Sequence, residues 1–265
     1  MAERPAPPSR LSGMSPVSFV LLVAVGAVIV ASAAEVAPSL DRLGNAGPRA
    51  MNLLDRMLPP NTDPAFMGRV FWKIVETLQI ALVGAAIGIL LSLPIAWLAA
   101  RGVSPIGRAG VLFKGLVSFL RTVPDLVWAL LFVVTVGLGP VAGTMTIVVD
   151  TIGFCGRFFA KAMEDADKEP QEALSAIGAN RASILFGAIL PEAAPSMINS
   201  SLFALEKAVR SSVVLGLVGA GGIGQELTVA FDLFQYQNAS TIILAIFVIV
   251  LLMEWVTDRL RARMQ

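Results

Sequence analysis

Three groups of residues have types and spacings that can do chemistry. Gly219-x-Gly221-x-x-Gly224, within GLVGAGGIGQE and including Gly222, has the spacing of a dinucleotide-binding turn. In such a turn, amides at a helix opening hold a pyrophosphate, provided a strand runs in and an acid about 20 residues on holds a ribose. Arg121, Asp125, Asp150, Glu206, Lys207 and Arg210 form a second group, ionisable residues set in otherwise apolar stretches. Charges in such surroundings pair, line a water-filled path or relay protons. The lone Cys155 cannot form an internal disulfide and reads as a small core residue. There is no histidine, which removes Ser-His-Asp and Cys-His catalysis and nearly every zinc site. No GxxxxGK[ST] occurs either, so any ATP used must be bound by another subunit. The chain itself offers no catalytic or metal-ligating residue and no cofactor site.

The elements that position these residues are membrane helices. Of 265 residues, 56% are hydrophobic and 15% charged, and the mean hydropathy is +0.77. A soluble domain has roughly 25% charge. Uncharged runs at 11–34, 77–100 and 233–253, the last interrupted near its start only by polar residues, approach or exceed the roughly 20 residues that cross a bilayer. No clean small-x-small site closes the first, so it reads as a span and not a cleaved signal. A net charge of +1 gives no reason to expect a nucleic-acid partner.

The proline-rich RPAPPSR start reads as disordered, the first span as about Pro16 to Ala34, and residues 35–64 as a polar connection. Phe66, Val70, Phe71, Ile74, Val75 and Leu78 recur at helical spacing and predict a helix lying in the interface before a second span dives to Ala100. Arg101, Arg108 and Lys114 make one cytoplasmic loop, and Lys161, Lys168 and Arg181 another, by the positive-inside rule. Two loops on one side need an even number of spans between them. A hairpin, about Gly115 to Gly137 and Pro140 to Ala162, satisfies this. The fifth span is expected at about Pro195 to Val218 and the sixth at about Asn238 to Trp255. The fold class is an all-α polytopic membrane protein with six transmembrane helices and both termini inside. The glycine run sits at the outer end of span five, before a connection with Glu226 and Asp232. There is no internal repeat.

The long inner loop, 161–194, contains EPQEALSAIGANRASILFGAILPEAAP. Its apolar residues predict two short helices, bent at Gly178 and stopped by Pro191. Glu172-Ala173-Leu174, then Gly178-Ala179, Ile184 and Leu190-Pro191 resemble the EAA-x3-G-x9-I-x-LP signature of permease subunits of ABC importers. Leu174 replaces the third-position Ala, and Ala188 occupies the isoleucine position with Ile189 beside it. RTVPDLVWALLF, EKAVRSSVVLGLVGAGGIGQEL and LFQYQNAS are similar to the phosphonate-importer permeases, a resemblance that covers roughly Phe66 to the C-terminus. It implies the type I permease architecture, with residues 1–64 preceding a 65–265 core. It also implies an ATPase subunit docked on 161–194 in two copies, with ATP and Mg held there. Further implied partners are an extracytoplasmic binding protein, a second copy of this chain and a bacterial inner membrane.

Within that frame the glycine run is expected to be a packing and gating element, since Asp232 lies only eight residues beyond Gly224 and no strand-helix-strand unit surrounds it. Glu206 and Arg210 are i,i+4 in the favourable order and are expected to pair. That leaves Lys207 uncompensated, and a positive pathway suits an anion. Asp125 and Asp150 have Arg121, Arg157 or the span-five cations as partners. Two competing readings stay open: an ion-coupled secondary transporter and a nucleotide-binding membrane enzyme.

Overall fold

The computed structural model describes residues 15–36 and 44–263, all of it helices and turns, with no strand among the described residues. The RPAPPSR segment lies outside them. The chain divides into two units, Met1–Asp55 and Arg56–Gln265. The first holds α1 (Pro16–Val36), none of whose residues is buried, and most of α2 (Ala46–Met57). Helix α2 falls where the sequence reading places only a connection. Its signal is the apolar set Ala50, Leu53, Leu54 and Met57, spaced as one helix face.

The second unit is built on α3 (Pro64–Ala99). The Asp63 side chain accepts a hydrogen bond from the Phe66 amide and Pro64 occupies the first turn, so the helix start is well defined. From there α3 runs unbroken for 36 residues, about 54 Å at 1.5 Å per residue. The expected change of direction between an interfacial helix and a span is therefore absent. The predicted stripe is nonetheless used, since Phe66 and Val70 are buried against Val213, Ile223 and Ile242.

Helices α4 (Gly110–Thr122) and α5 (Asp125–Val136) replace the expected straight third span. They meet at 88°. Pro124 causes the break, because its ring disfavours helical backbone at the residue before it, and Val123 is extended, with φ −77° and ψ 123°. The hairpin turn lies where it was expected: Gly137 and Gly139 take φ of 101° and 130°, and α6 (Pro140–Asp165) opens on proline.

The closest helix pairing is α3 on α6. A Cβ at Gly84 would stand 2.7 Å from Ile147, and one at Gly88 would stand 2.5 Å from Thr151. Small residues thus set this spacing, as in membrane helix pairs generally.

After α6 come α7 (Lys168–Ala176), α8 (Arg181–Ile184), a π-helical turn at Leu185–Ile189 and α9 (Leu190–Gly216). Two expectations fail here. Pro191 does not stop a helix but sits in the first turn of α9, where a missing N–H costs nothing. Pro195 lies inside α9 and does not begin it; the wide π turn just upstream is the kind of adjustment that lets a helix carry closely spaced prolines. The chain closes with α10 (Gly222–Asp232) and α11 (Tyr236–Ala262).

Among the described residues four helices, α1, α3, α6 and α11, are long and apolar enough to cross a membrane, and there are five candidates if the bent α4–α5 pair is counted as one span. Helix α9 is long enough at 27 residues, but Glu192, Glu206, Lys207 and Arg210 keep it outside that class.

Hydrogen bonds define two ends of this unit. At one, the Arg101 amide donates to Glu164 Oε1 (2.8 Å), joining the α3 exit to the end of α6. At the other, Gly139 N donates to Gly219 O (2.9 Å), and Asn61 donates to Asn238 (2.7 Å).

Candidate functional site

The segment after α6 is a bent helical hairpin at the Arg101 end. Asp167 caps α7 by accepting from the Glu169 amide, and Asn180 caps α8 by accepting from the Ser183 amide. Between them Gly178 has φ +83°, a conformation L side chains avoid, and no atom lies within 4 Å of where its Cβ would stand. The turn is closed by Gly178 N to Ser175 O and Ala179 N to Leu174 O, each 3.0 Å. Leu174 is half-buried, with Gly187 beneath it, while Glu172 and Ala173 are exposed. Ile184, Leu190 and Pro191 lie along the run into α9, with Leu185 and Ile189 buried against Phe159 and Met163. The Asp167 amide donates to Glu192 Oε1 (2.8 Å), so both roots of the hairpin are tied together. Glu192 was not singled out in sequence, because its partner is a backbone amide 25 residues away.

The ionisable residues of α6 and α9 resolve into pairs. Glu206 takes Arg210, as expected, and also Arg261 Nη2 from the last turn of α11 at 3.1 Å. Lys207 is not uncompensated: its Nζ lies 2.7 and 2.9 Å from the two Asp150 carboxylate oxygens and 5.7 Å from the centre of the Phe154 ring. Ser211 Oγ bonds Asp125 Oδ2 at 3.3 Å. Arg121, at the elbow of α4, is exposed and makes no ion pair among the described residues. Arg261 also pairs with Asp258 at 3.4 Å, so Asp125, Asp150, Glu206 and Asp258 balance Lys207, Arg210, Arg261 and Arg121 and the cluster is neutral overall. Arg210 presents the most open of its paired cations, 56% exposed. Arg261 lies beyond the sixth span as expected from sequence; only tertiary packing brings it back onto α9.

The glycine run is a crowded corner. Gly219, Gly221 and Gly222 take φ of 87°, 85° and 73°. A Cβ at Gly221 would stand 2.9 Å from Pro140 N, and one at Gly222 2.6 Å from Thr77 Oγ1. Gly224 packs against the Val213 carbonyl. The amides at the opening of α10 are taken: Gly222 N donates to Glu76 Oε1 (3.0 Å) and Ile223 N to Thr77 Oγ1 (2.8 Å). Glu76 Oε2 accepts from Lys73 Nζ at 2.7 Å. A carboxylate thus occupies the position a phosphate would need, which suits a packing element. Sequence marks Glu76 and Thr77 only as part of a helix, because their donors, the Gly222 and Ile223 amides, lie 146 residues away.

Residues 66–265 match the family described as binding-protein-dependent transport system inner membrane component. The chain belongs to that family. A phosphate-import permease protein, PhnE, of Mycolicibacterium smegmatis is 38% identical to this chain over 215 residues, 81% of this chain and 40% of that protein. A phosphite transport system permease protein, PtxC, of Stutzerimonas stutzeri is 34% identical over 219 residues, 82% of this chain and 78% of that one. The chain therefore spans 40% of the length of the first of these relatives, and 58% of a further S. stutzeri phosphite permease. Among solved structures, an inward-facing MetNI methionine ABC transporter chain superposes with a TM-score of 0.65 at 26% identity, covering 77% of this chain and all of that one.

Proposed function

We propose that this chain is the membrane-spanning permease of an ATP-binding-cassette importer that carries a phosphorus oxyanion, such as phosphonate, phosphite or a phosphate ester, across a bacterial cytoplasmic membrane. The observation that carries the proposal is the bent hairpin 168–184, whose exposed Glu172 and Ala173 stand clear of the helix core while its root continues without a break into α9. A subunit gripping that hairpin has a lever on α9, hence on Glu206, Lys207 and Arg210. Two ATPase subunits, holding ATP and Mg, each dock on one copy of the hairpin in a homodimer of this chain. The permease does no covalent chemistry.

Six spans are proposed: α1, α3, the bent α4–α5 pair, α6, α9 and α11, with both termini inside. An external binding protein then meets the end that carries the glycine run, where Gly219, Gly221, Gly222 and Gly224 form the outer gate. The cluster of Arg121, Asp125, Asp150, Glu206, Lys207 and Arg210 lines the pathway, and its most open paired cation, Arg210, together with the exposed Arg121, is what an anion meets there. The named transport activities of the phosphate and phosphite relatives support this choice of cargo.

The test is reconstitution with an ATPase subunit and a binding protein from the same organism. ATP hydrolysis is expected only in the assembled complex, with uptake of phosphite or methylphosphonate that stops on ATP depletion. Uptake that survives ATP depletion would instead make the protein a secondary transporter. The likeness to a methionine transporter favours a second reading, and methionine uptake that phosphite fails to inhibit would establish it.

A further inference from the structure

Arg181, the first residue of α8, donates from Nη1 to two carbonyl oxygens of the connection between α3 and α4: Ser104 O at 3.1 Å and Pro105 O at 2.7 Å. We propose that Arg181 is the positioning residue that transmits movement of the docking hairpin to α4 and its elbow; this rests on the docking reading given above.

The two sides it joins share an apolar base, where Val103 of the corner and Ile184 of α8 pack on one core cluster. Above that base a cleft of about 850 Å3 lies between the hairpin, including Gln171, Glu172 and Ser175, and the α3–α4 corner, including Arg101 and Arg108. The hairpin can therefore pivot on the base, and the two polar contacts of Arg181 tie it to the corner beside the cleft.

The corner itself is tight. Ser104 Oγ donates to Leu98 O (2.8 Å), and a Cβ at Gly110 would stand 2.6 Å from the same carbonyl. A pull on Ser104 O and Pro105 O is therefore passed to the start of α4, which the short turn Gly107–Ala109 joins directly to the corner. Helix α4 ends at Arg121 and the Val123–Pro124 elbow, beyond which Asp125 bonds Ser211 of α9. Motion of the hairpin thus reaches the charged cluster by two routes: directly through α9, and through Arg181 and α4. Two attachments convert a push on one helix into a change in the angle between two, which is what opening a path between α4–α5 and α9 requires. Guanidinium suits the role because it keeps its charge and can serve two acceptors at once.

The experiment measures phosphite transported per ATP hydrolysed by the reconstituted complex, alongside copurification of the ATPase and the melting temperature. Arg181→Ala is expected to assemble, melt within a few degrees of the parent and still hydrolyse ATP. Its transport-to-hydrolysis ratio should fall about tenfold, what losing one charge-assisted contact in the coupled state amounts to. Arg181→Lys should recover part of the ratio. A ratio equal to that of the parent in Arg181→Ala overturns the proposal.

Should Arg181→Ala not assemble, Arg181→Gln, which keeps a side-chain donor but not the charge, keeps the question open to measurement. Its ratio must fall below that of the parent; a ratio equal to the parent's overturns the proposal. Glu172→Lys separates the two layers of inference. If it leaves ATPase binding intact, the docking reading fails with it. If it abolishes binding while Arg181→Ala couples normally, only the role of Arg181 falls.

Discussion

At the scale of single residues, charge pairing decides what each ion can do. Asp150 and Lys207 face each other with 17% and 36% of their side chains exposed, so removing one partner strands the other in poorly hydrated surroundings. Asp150→Asn is expected to lower the melting temperature of the solubilised permease more than the combined Asp150→Asn and Lys207→Gln. A double-mutant cycle should return a coupling of about 0.5–3 kcal/mol; additive effects would mean that the pair contributes nothing. Arg210 is the more informative cation for transport. Because Glu206 also holds Arg261, Arg210→Gln leaves no acid without a partner and should assemble normally. Phosphite uptake by Arg210→Gln is expected to fall about tenfold, and to depend less on ionic strength than uptake by the parent. Equal uptake at low salt would remove Arg210 from the pathway.

At the scale of elements, glycines divide into those that bend the chain and those that let backbones touch. Gly178 bends it in open space, so Gly178→Val suffers only from a positive φ that a branched residue resists, of order 1–3 kcal/mol. The variant should insert normally yet lose ATPase copurification and uptake; full retention of both would dissociate the bend from docking. Gly224 lets backbones touch, and Gly224→Ala would drive a methyl into the Val213 carbonyl, a displacement worth about 1–3 kcal/mol. Gly115, within α4, has nothing near it, and Gly115→Ala should leave the melting temperature unchanged or raise it by about 0.5–1 kcal/mol equivalent. Similar losses at 224 and 115 would refute the packing account. Much of this was legible in sequence: apolar runs gave α1, α3 and α11, the parity of the basic loops gave α6, the glycines gave the hairpin turn, and Gly178 gave the bend. What was not legible has one physical origin. Pro124 marks the break locally but not its 88° angle; that angle, the passage of α9 through Pro191 and Pro195, and the partners of Lys207 and Glu76 all depend on neighbours remote in the chain. Local propensity marks where a helix is weakened; tertiary packing decides whether it breaks.

At the scale of the whole molecule, the two ends have opposite assignments, and sidedness can be tested directly. Leu138, beside the glycine run, and Ile177, on the docking hairpin, are 72% and 81% exposed. A membrane-impermeant maleimide applied to intact spheroplasts should label Leu138→Cys and spare Ile177→Cys until the membrane is opened; the reverse pattern would invert the topology. The length of α3 adds a consequence for the same end. Its apolar part, Thr77–Ala99, extends about 35 Å and fills a hydrocarbon layer of about 30 Å with modest tilt. The preceding turns, Pro64 to Glu76, then rise roughly 20 Å above the lipid as a stalk. Glu76 and Thr77 sit at the foot of that stalk and hold the opening of α10. In the proposed arrangement the glycine corner is thereby hung from a post that lipid does not squeeze, so thinning or thickening the bilayer would strain the crossing helices and leave the shape of that corner unchanged.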